Sequence, residues 1–173
     1  MSQTQRSITV SWDDPMAAYA AGKGLSGLQY MEKLIAGEIA PPPIMKLIGY
    51  ALLEVAKGQA VFGTTPAEQH YNPIGVVHGG IAMTLLDSAM GCAVHSLLPR
   101  GMGYTTLEAK INLVRAITRD TGPVRAIGRV IHQGRSTATA EGRLEDGAGK
   151  LYAHATTTCI LLGAPAAQGA AAA

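Results

Sequence analysis

The chain has 173 residues, of which 47% are hydrophobic and 15% charged, and fourteen basic against twelve acidic side chains leave a net charge of +2. One domain of that length buries a core without disulfides, and a surface holding less than the usual share of charge, about 25%, is expected to be covered in part by another subunit. The charge balance excludes the strongly basic profile of a nucleic-acid binder. Two cysteines, Cys92 and Cys159, make no disulfide framework, so a reducing, cytoplasmic setting is expected. The N-terminal stretch MSQTQRSITVSWDD has no basic segment ahead of an apolar run, so no signal peptide is expected. The most apolar segment, 81–98, contains Asp87 and His95 and is too short and too polar for a membrane span.

Residues 1–40 read as an N-terminal extension, partly helical. Its first 25 residues, with Asp13-Asp14-Pro15 and Gly22-Lys23-Gly24, are expected to be loosely ordered. Ser26 then caps a helix whose stripe is Leu28, Met31, Leu34 and Ile35, ended by Gly37. Pro41-Pro42-Pro43 forces an extended entry to the following domain, 41–162. Residues 52–65 read as one strand interrupted by glycine, and 66–77, with Asn72-Pro73 and Gly75, as a loop. A helix over 81–98 follows, closed by Pro99. Period-two alternation in Leu107-Glu-Ala-Lys-Ile-Asn-Leu predicts a half-buried strand. Segments 124–132, 137–144 and 151–161 are three more strands, divided by Asp120-Thr121-Gly122, Gly134-Arg135 and Asp146-Gly147 as hairpin turns. The expected fold class is therefore α+β, a strand, a helix and a four-stranded meander. The Ala-rich segment 163–173 is expected to be a disordered tail.

The long helix is apolar over most of its circumference and should be buried almost all round. A narrow stripe of Gly80, Thr84, Asp87, Ser88 and Gly91, continued by Cys92 and His95, is the exception. A carboxylate in such surroundings is costly without a partner. At the helix start, His78-Gly79-Gly80 offers backbone N–H groups without internal partners at the positive end of the dipole, where an oxyanion is stabilised. A turn softened by glycine merely for packing is an equal reading of the same residues. Gly79 and Asp87 lie eight residues, roughly 12 Å, apart along the axis. They cannot touch one carbonyl from the same helix, so joint action requires two antiparallel helices from neighbouring subunits.

The strings NPIGVVHGGIAMTLLDSAMGCAVHS, TTLEAKINLVR and HQGRSTATAEGRLEDGAGKLYAHATTTCILL strongly resemble the hotdog-fold acyl-CoA thioesterases of the PaaI-like branch, over residues 40–162. The resemblance implies an antiparallel sheet wrapped around one buried helix, and hydrolysis of an acyl-CoA to acid and CoA. It implies Asp87 as general base or nucleophile, the Gly79 N–H as donor to the thioester carbonyl and Gly80 in support of that turn. His78 becomes a positioning residue. Asn72 becomes a holder of water or substrate, although an Asx turn before Pro73 accounts for it equally well. Thr105 and Thr106 both lie where relatives place a hydroxyl near the nucleophile. Gly134-Arg135-Ser136 resembles the segment that contacts CoA, with Arg135 as phosphate partner, against the alternative of a solvated turn. Arg100 and Arg115 are further cations that spacing does not select. The resemblance also implies a homodimer or homotetramer whose active site two subunits share. The partners expected are the acyl-CoA and other copies of the chain, with no nucleic acid and no membrane. CoA enters as part of the substrate, and no metal or other cofactor is expected. The rival readings are a non-catalytic acyl-CoA binder or sensor and a hotdog enoyl-CoA hydratase, whose loop-borne Asp and His are not found.

Overall fold

A computed structural model describes residues 5–163. The expected tail from 164 onward, and residues 1–4 of the extension, lie outside the described residues. Helix α1 (Pro15–Gly22) is capped by Asp14, whose carboxylate accepts from the Met16 N–H, and has proline in its first turn. Residues 15–22 are thus helical where loose order was expected, while residues 5–14 carry no helix or strand. The Asp-Pro pair is a helix-start signal, outweighed in the sequence reading by the glycines beyond it. Helix α2 (Gly27–Ile35) has the anticipated Ser26 cap as a complete capping box with Gln29. The proline run is extended only as far as Pro42. Pro43 sits in the first turn of a short helix, α3 (Pro43–Ile48), which Gly49 ends at φ 78°.

The expected single strand over 52–65 is a hairpin of β1 (Tyr50–Ala56) and β2 (Gln59–Thr64). Gly58, at φ 76°, makes the reversal, so it is a turn residue rather than an interruption of one strand. After the loop and a 3-10 turn at Glu68–His70 comes the long helix α4 (Gly79–His95). Strands β3 (Gly103–Leu113), β4 (Val124–Gln133), β5 (Thr137–Asp146) and β6 (Leu151–Leu162) complete one antiparallel sheet in the order β1-β2-β4-β5-β6-β3. The four later strands are therefore not a simple meander. Residues 114–123, with the Asp120-Thr121-Gly122 segment read as a hairpin turn, carry the chain across the sheet from β3 to β4. β3 lies beyond β6 at the far edge. The fold class is α+β and hotdog, as the resemblance implied.

Every strand packs against α4. Ala82, Leu85, Leu86, Ala89, Met90, Ala93 and Val94 of the helix are buried against Ala60, Phe62, Ala126, Ala140, Leu144 and Ala155 of the sheet. The small residues let a whole helix lie flush on the strands. Gly128 and Gly142 face one another across β4 and β5, and they form the flattest part of that bed. A Cβ on Gly128 would stand 2.2 Å from the Ala89 carbonyl oxygen, and one on Gly142 2.9 Å from Leu86 Cδ2. Backbone cannot yield as a side chain does. We expect Gly128→Ala to cost at least about 3 kcal/mol, the upper part of the overpacking range, and to lower Tm by more than about 6 °C. Thermal denaturation measures this, and a shift below about 1 °C would mean that α4 does not seat there.

Candidate active site

The loop before α4 is held at several points. The Val77 N–H donates to the Ile117 carbonyl and the His78 N–H to the His70 carbonyl, each at 2.8 Å. Asn72 Oδ1 accepts from the Ile74 and Val76 N–H groups at 3.1 and 3.2 Å. This is the Asx-type arrangement weighed for Asn72 in the sequence, and it turns the carbonyl end of the side chain into its own loop. His78 is the N-cap of α4, and its Nδ1 accepts from the Gly80 N–H at 2.9 Å. The ring proton is thereby assigned to Nε2. Gly80 is consumed by this cap, whereas the Gly79 N–H has no acceptor among the described residues. It borders a cleft of about 310 Å³ with Asn72, His78, Leu113 and Arg115. Arg115, which spacing did not select, lines the same cleft, but its guanidinium donates to the Leu151 carbonyl at 2.6 Å and lies over the Tyr152 ring.

Asp87 lies two turns further along α4, half-buried, and accepts a hydrogen bond from Thr106 Oγ1 at 2.9 Å. Thr105 and Thr106 are thereby separated. Strand alternation turns Thr106 towards the helix, while Thr105 is exposed on the other face. Tyr104, two positions before Thr106, also faces α4. Its ring lies over Gly91, where a Cβ would come within 2.7 Å of the hydroxyl oxygen, and its centroid is 5.5 Å from that of His95. On the opposite flank, the Tyr50 hydroxyl meets Ser88 Oγ at 3.0 Å. Tyr50 and Tyr104 were not legible as site neighbours, because tyrosine in a strand is ordinary by propensity.

Burial sets the protonation states along this seam. It pushes the Cys92 thiol up to about 12, so the thiol is not a ready nucleophile. It raises the Tyr104 hydroxyl well above its ordinary value, with further upward contributions from Cys92 and Asp87. The His95 imidazole is held below its ordinary 6.5 by desolvation, which makes it neutral at pH 7. Among the described residues no group of three or more His, Cys, Asp or Glu could hold a metal ion.

The Gly134-Arg135-Ser136 turn joins β4 to β5, with Arg135 and Ser136 exposed. Thr137 pairs with Ile160, which pairs with Thr105, so the turn stands two strand spacings, roughly 9–10 Å, from the β3 edge. It is at the same end of the sheet as Tyr104 but does not touch Asp87 or Gly79. Arg100 packs beside Gly24 in the extension.

Residues 74–153 match the family model described as Thioesterase superfamily. The chain is 30% identical over 119 residues to a protein of Saccharolobus solfataricus that bears the name "Putative esterase SSO2140", an alignment covering 69% of this chain and 83% of that protein. It is 29% identical to the 1,4-dihydroxy-2-naphthoyl-CoA hydrolase of Listeria monocytogenes, over 62% of this chain and 86% of that enzyme. Its fold superposes on PaaI from the phenylacetic acid degradation operon of E. coli with a TM-score of 0.68 at 23% identity, over 80% and 96% of the two chains. The chain belongs to the thioesterase superfamily, and its class is that of a thioester hydrolase. Among the described residues no helix is long and apolar enough to cross a membrane.

Proposed function

We propose that the protein hydrolyses acyl-CoA at a site built by two copies of the chain. Gly79 of one copy donates its N–H to the thioester carbonyl, and Asp87 of the other acts as general base or nucleophile. The observation that carries this reading is the placement of a free N–H and a half-buried carboxylate on one helix, eight residues and roughly 12 Å apart. A single copy cannot bring both to one carbonyl. With Asp87 as base, it takes a proton from water as the oxygen adds to the carbonyl carbon. The developing oxyanion rests on the Gly79 N–H, the C–S bond breaks and the CoA thiolate takes up a proton.

The β3 edge supports the shared site. It is 11 residues long and open on its outer side, with Leu107, Leu113 and the following Val114 57%, 55% and 50% exposed. A long edge with unpaired backbone groups is a template for another strand, and here its exposed leucines are interspersed with exposed Glu108, Lys110 and Asn112. A two-fold axis through its middle would set Leu113 of one copy beside Gly103 of the other. Leu113 is the side chain that borders Gly79, and Gly103 begins the run to Tyr104 and Thr106. The Gly79 cleft of one copy is thereby carried towards the Asp87 end of the next. Leu107→Glu is expected to halve the mass measured by light scattering if the parent is a dimer, and to lower hydrolysis at least tenfold. A variant that stays associated and active would remove β3 as the interface.

The Listeria relative acts on an aromatic acyl-CoA by its name, so both aryl and aliphatic substrates belong in the test. Two free thiols, Cys92 and Cys159, fit a reducing compartment, the cytoplasm. The test is thiol release by the full chain from a panel of aliphatic and aromatic acyl-CoAs. Release from at least one is expected. Tight binding without release across the panel would replace the hydrolase by an acyl-CoA binder, and hydration of an enoyl-CoA by a hydratase.

A further inference from the structure

A chamber of about 520 Å³ lies under helix α1, between the N-terminal extension and the far end of α4. That volume is within the range of small-molecule sites, about 300–1,000 Å³. The extension that closes it is firmly docked. The Gly27 N–H donates to the Leu98 carbonyl at 3.1 Å, and a Cβ on Gly27 would fall 1.9 Å from the His95 carbonyl oxygen. Helix α1 itself buries none of its residues, so it roofs the chamber without building the core. The chamber is closed off from the candidate active site. The Tyr104 ring packs on Gly91, where a Cβ would stand 2.7 Å from the ring edge, and Asp87, Gly91 and Thr106 do not line the chamber.

One wall is a row of rings. Tyr30 from α2, His95 from α4 and Tyr104 from β3 follow one another with centroids 5.9 and 5.5 Å apart, tilted by 47° and 45°. Those spacings are the ones aromatic pairs adopt when they pack, and Tyr19 adds a further ring from α1. A chain with six tyrosines in all places three of them here, although α4 is seated on the sheet mainly by aliphatic and small side chains. Neither the Tyr30 hydroxyl nor the His95 ring has a hydrogen-bond partner among the described residues. Charge in the chamber is one-sided. Lys23 is the one ionised side chain of the lining, and no carboxylate is there. It lies over the Tyr19 ring at 5.4 Å. Arg100 stands at the same rim, since a Cβ on Gly24 would lie 3.7 Å from its guanidinium carbon. Neither cation has an ion pair among the described residues. Rings inside and two unpaired cations at the mouth fit one kind of occupant, a planar aromatic body carrying a single negative group. Its rings stack on the Tyr30, His95 and Tyr104 row, and its anion meets Lys23 and Arg100.

We propose that the chamber is a second ligand site, for a small aromatic monoanion, separate from the site of Gly79 and Asp87. It stands whether or not the protein is a hydrolase. The probes are naphthalenesulfonate, the uncharged naphthalenesulfonamide and the saturated decalinsulfonate, titrated by calorimetry into the full chain. Wild type should bind naphthalenesulfonate about fivefold more tightly than either control, the size of two exposed charge pairs or of one aromatic pair. The double variant Lys23→Gln with Arg100→Gln, changed only at exposed positions, should bind the sulfonate and the sulfonamide equally. Ala18→Trp and Met102→Trp put an indole into the chamber from α1 and from the entry to β3. At least one of them should weaken the sulfonate about tenfold or more, the loss of about one stacked aromatic contact. A saturating acetyl-CoA thioether, which cannot be hydrolysed, should not displace it. Four results overturn the site: no binding of the sulfonate by wild type, equal affinity for the sulfonate and either control, undiminished binding by both filling variants, or displacement by the CoA thioether. The last would move the sulfonate to the Asp87 cleft and leave the hydrolase reading untouched.

Discussion

Asp87→Asn is expected to lower kcat for thioester hydrolysis by about 10²–10⁴-fold, the usual contribution of a positioned base, with a much smaller change in KM. The carboxamide is close to isosteric, and its oxygen can still accept from Thr106 Oγ1, which now donates to Asp87 at 2.9 Å. The side chain is half-buried rather than enclosed, so Tm should stay within a few degrees. What is lost is the ability to take a proton or to attack carbon, and both candidate mechanisms need one of these. A single turnover of wild type in ¹⁸O-labelled water tells them apart. A base delivers the labelled oxygen to the acid in the first turnover, whereas a nucleophilic carboxylate forms an acyl–aspartyl anhydride that water opens at the aspartyl carbon, so the first acid carries one of the carboxylate's unlabelled oxygens and the label enters Asp87. Comparable hydrolysis by Asp87→Asn and wild type would remove Asp87 from the chemistry and leave the fold assignment untouched.

Much of the fold was legible because its signals are local. The Ser26 capping box, the alternation in 107–113 and the turns at Gly134 and Asp146 each depend on neighbours in sequence, and α2, β3 and the β4-β5-β6 hairpins lie where those residues put them. The connection from β3 to β4 is not legible in this way, because Asp120-Thr121-Gly122 has the composition of a hairpin turn. Whether a turn closes a hairpin or ends a crossover depends on which edge has an unpaired partner, a property of the whole sheet. Gly58 reads as an interruption for a related reason: one glycine between two apolar runs marks a turn or a bulge equally well. At the candidate site, Asp87 stood out because a carboxylate is foreign to a buried helix. Tyr104 did not stand out at all. Its place over Gly91 is fixed by the pairing of β3 with β6 and by how α4 lies across the sheet, and neither is written in its own neighbourhood. Asn72 shows the converse, since its Asx turn was foreseeable from the proline beside it.

The backbone donor can be deleted by a single substitution, because Gly79 occupies the first position of α4, where proline is well tolerated. His78 already sits at φ −59° and ψ 133°, in the extended region that a residue before proline requires. Gly79→Pro therefore removes the N–H without asking the chain to refold. Its ring carbons would press on Leu113, whose Cδ1 lies 2.5 Å from a Cβ built at Gly79, but the contact is the far end of a flexible side chain. Gly79→Ala carries the same Cβ and keeps the N–H, so it serves as the steric control. We expect the alanine variant to lose only a few-fold in kcat, and the proline variant about 10²–10³-fold, the size of one lost oxyanion donor. Equal losses in both would assign the effect to Leu113 and the β3 edge. Near-normal turnover by the proline variant would mean that the carbonyl takes its hydrogen bond elsewhere. The nearest other donor is the Gly80 N–H, which would first have to leave His78 Nδ1, and His78→Ala would then raise activity rather than lower it.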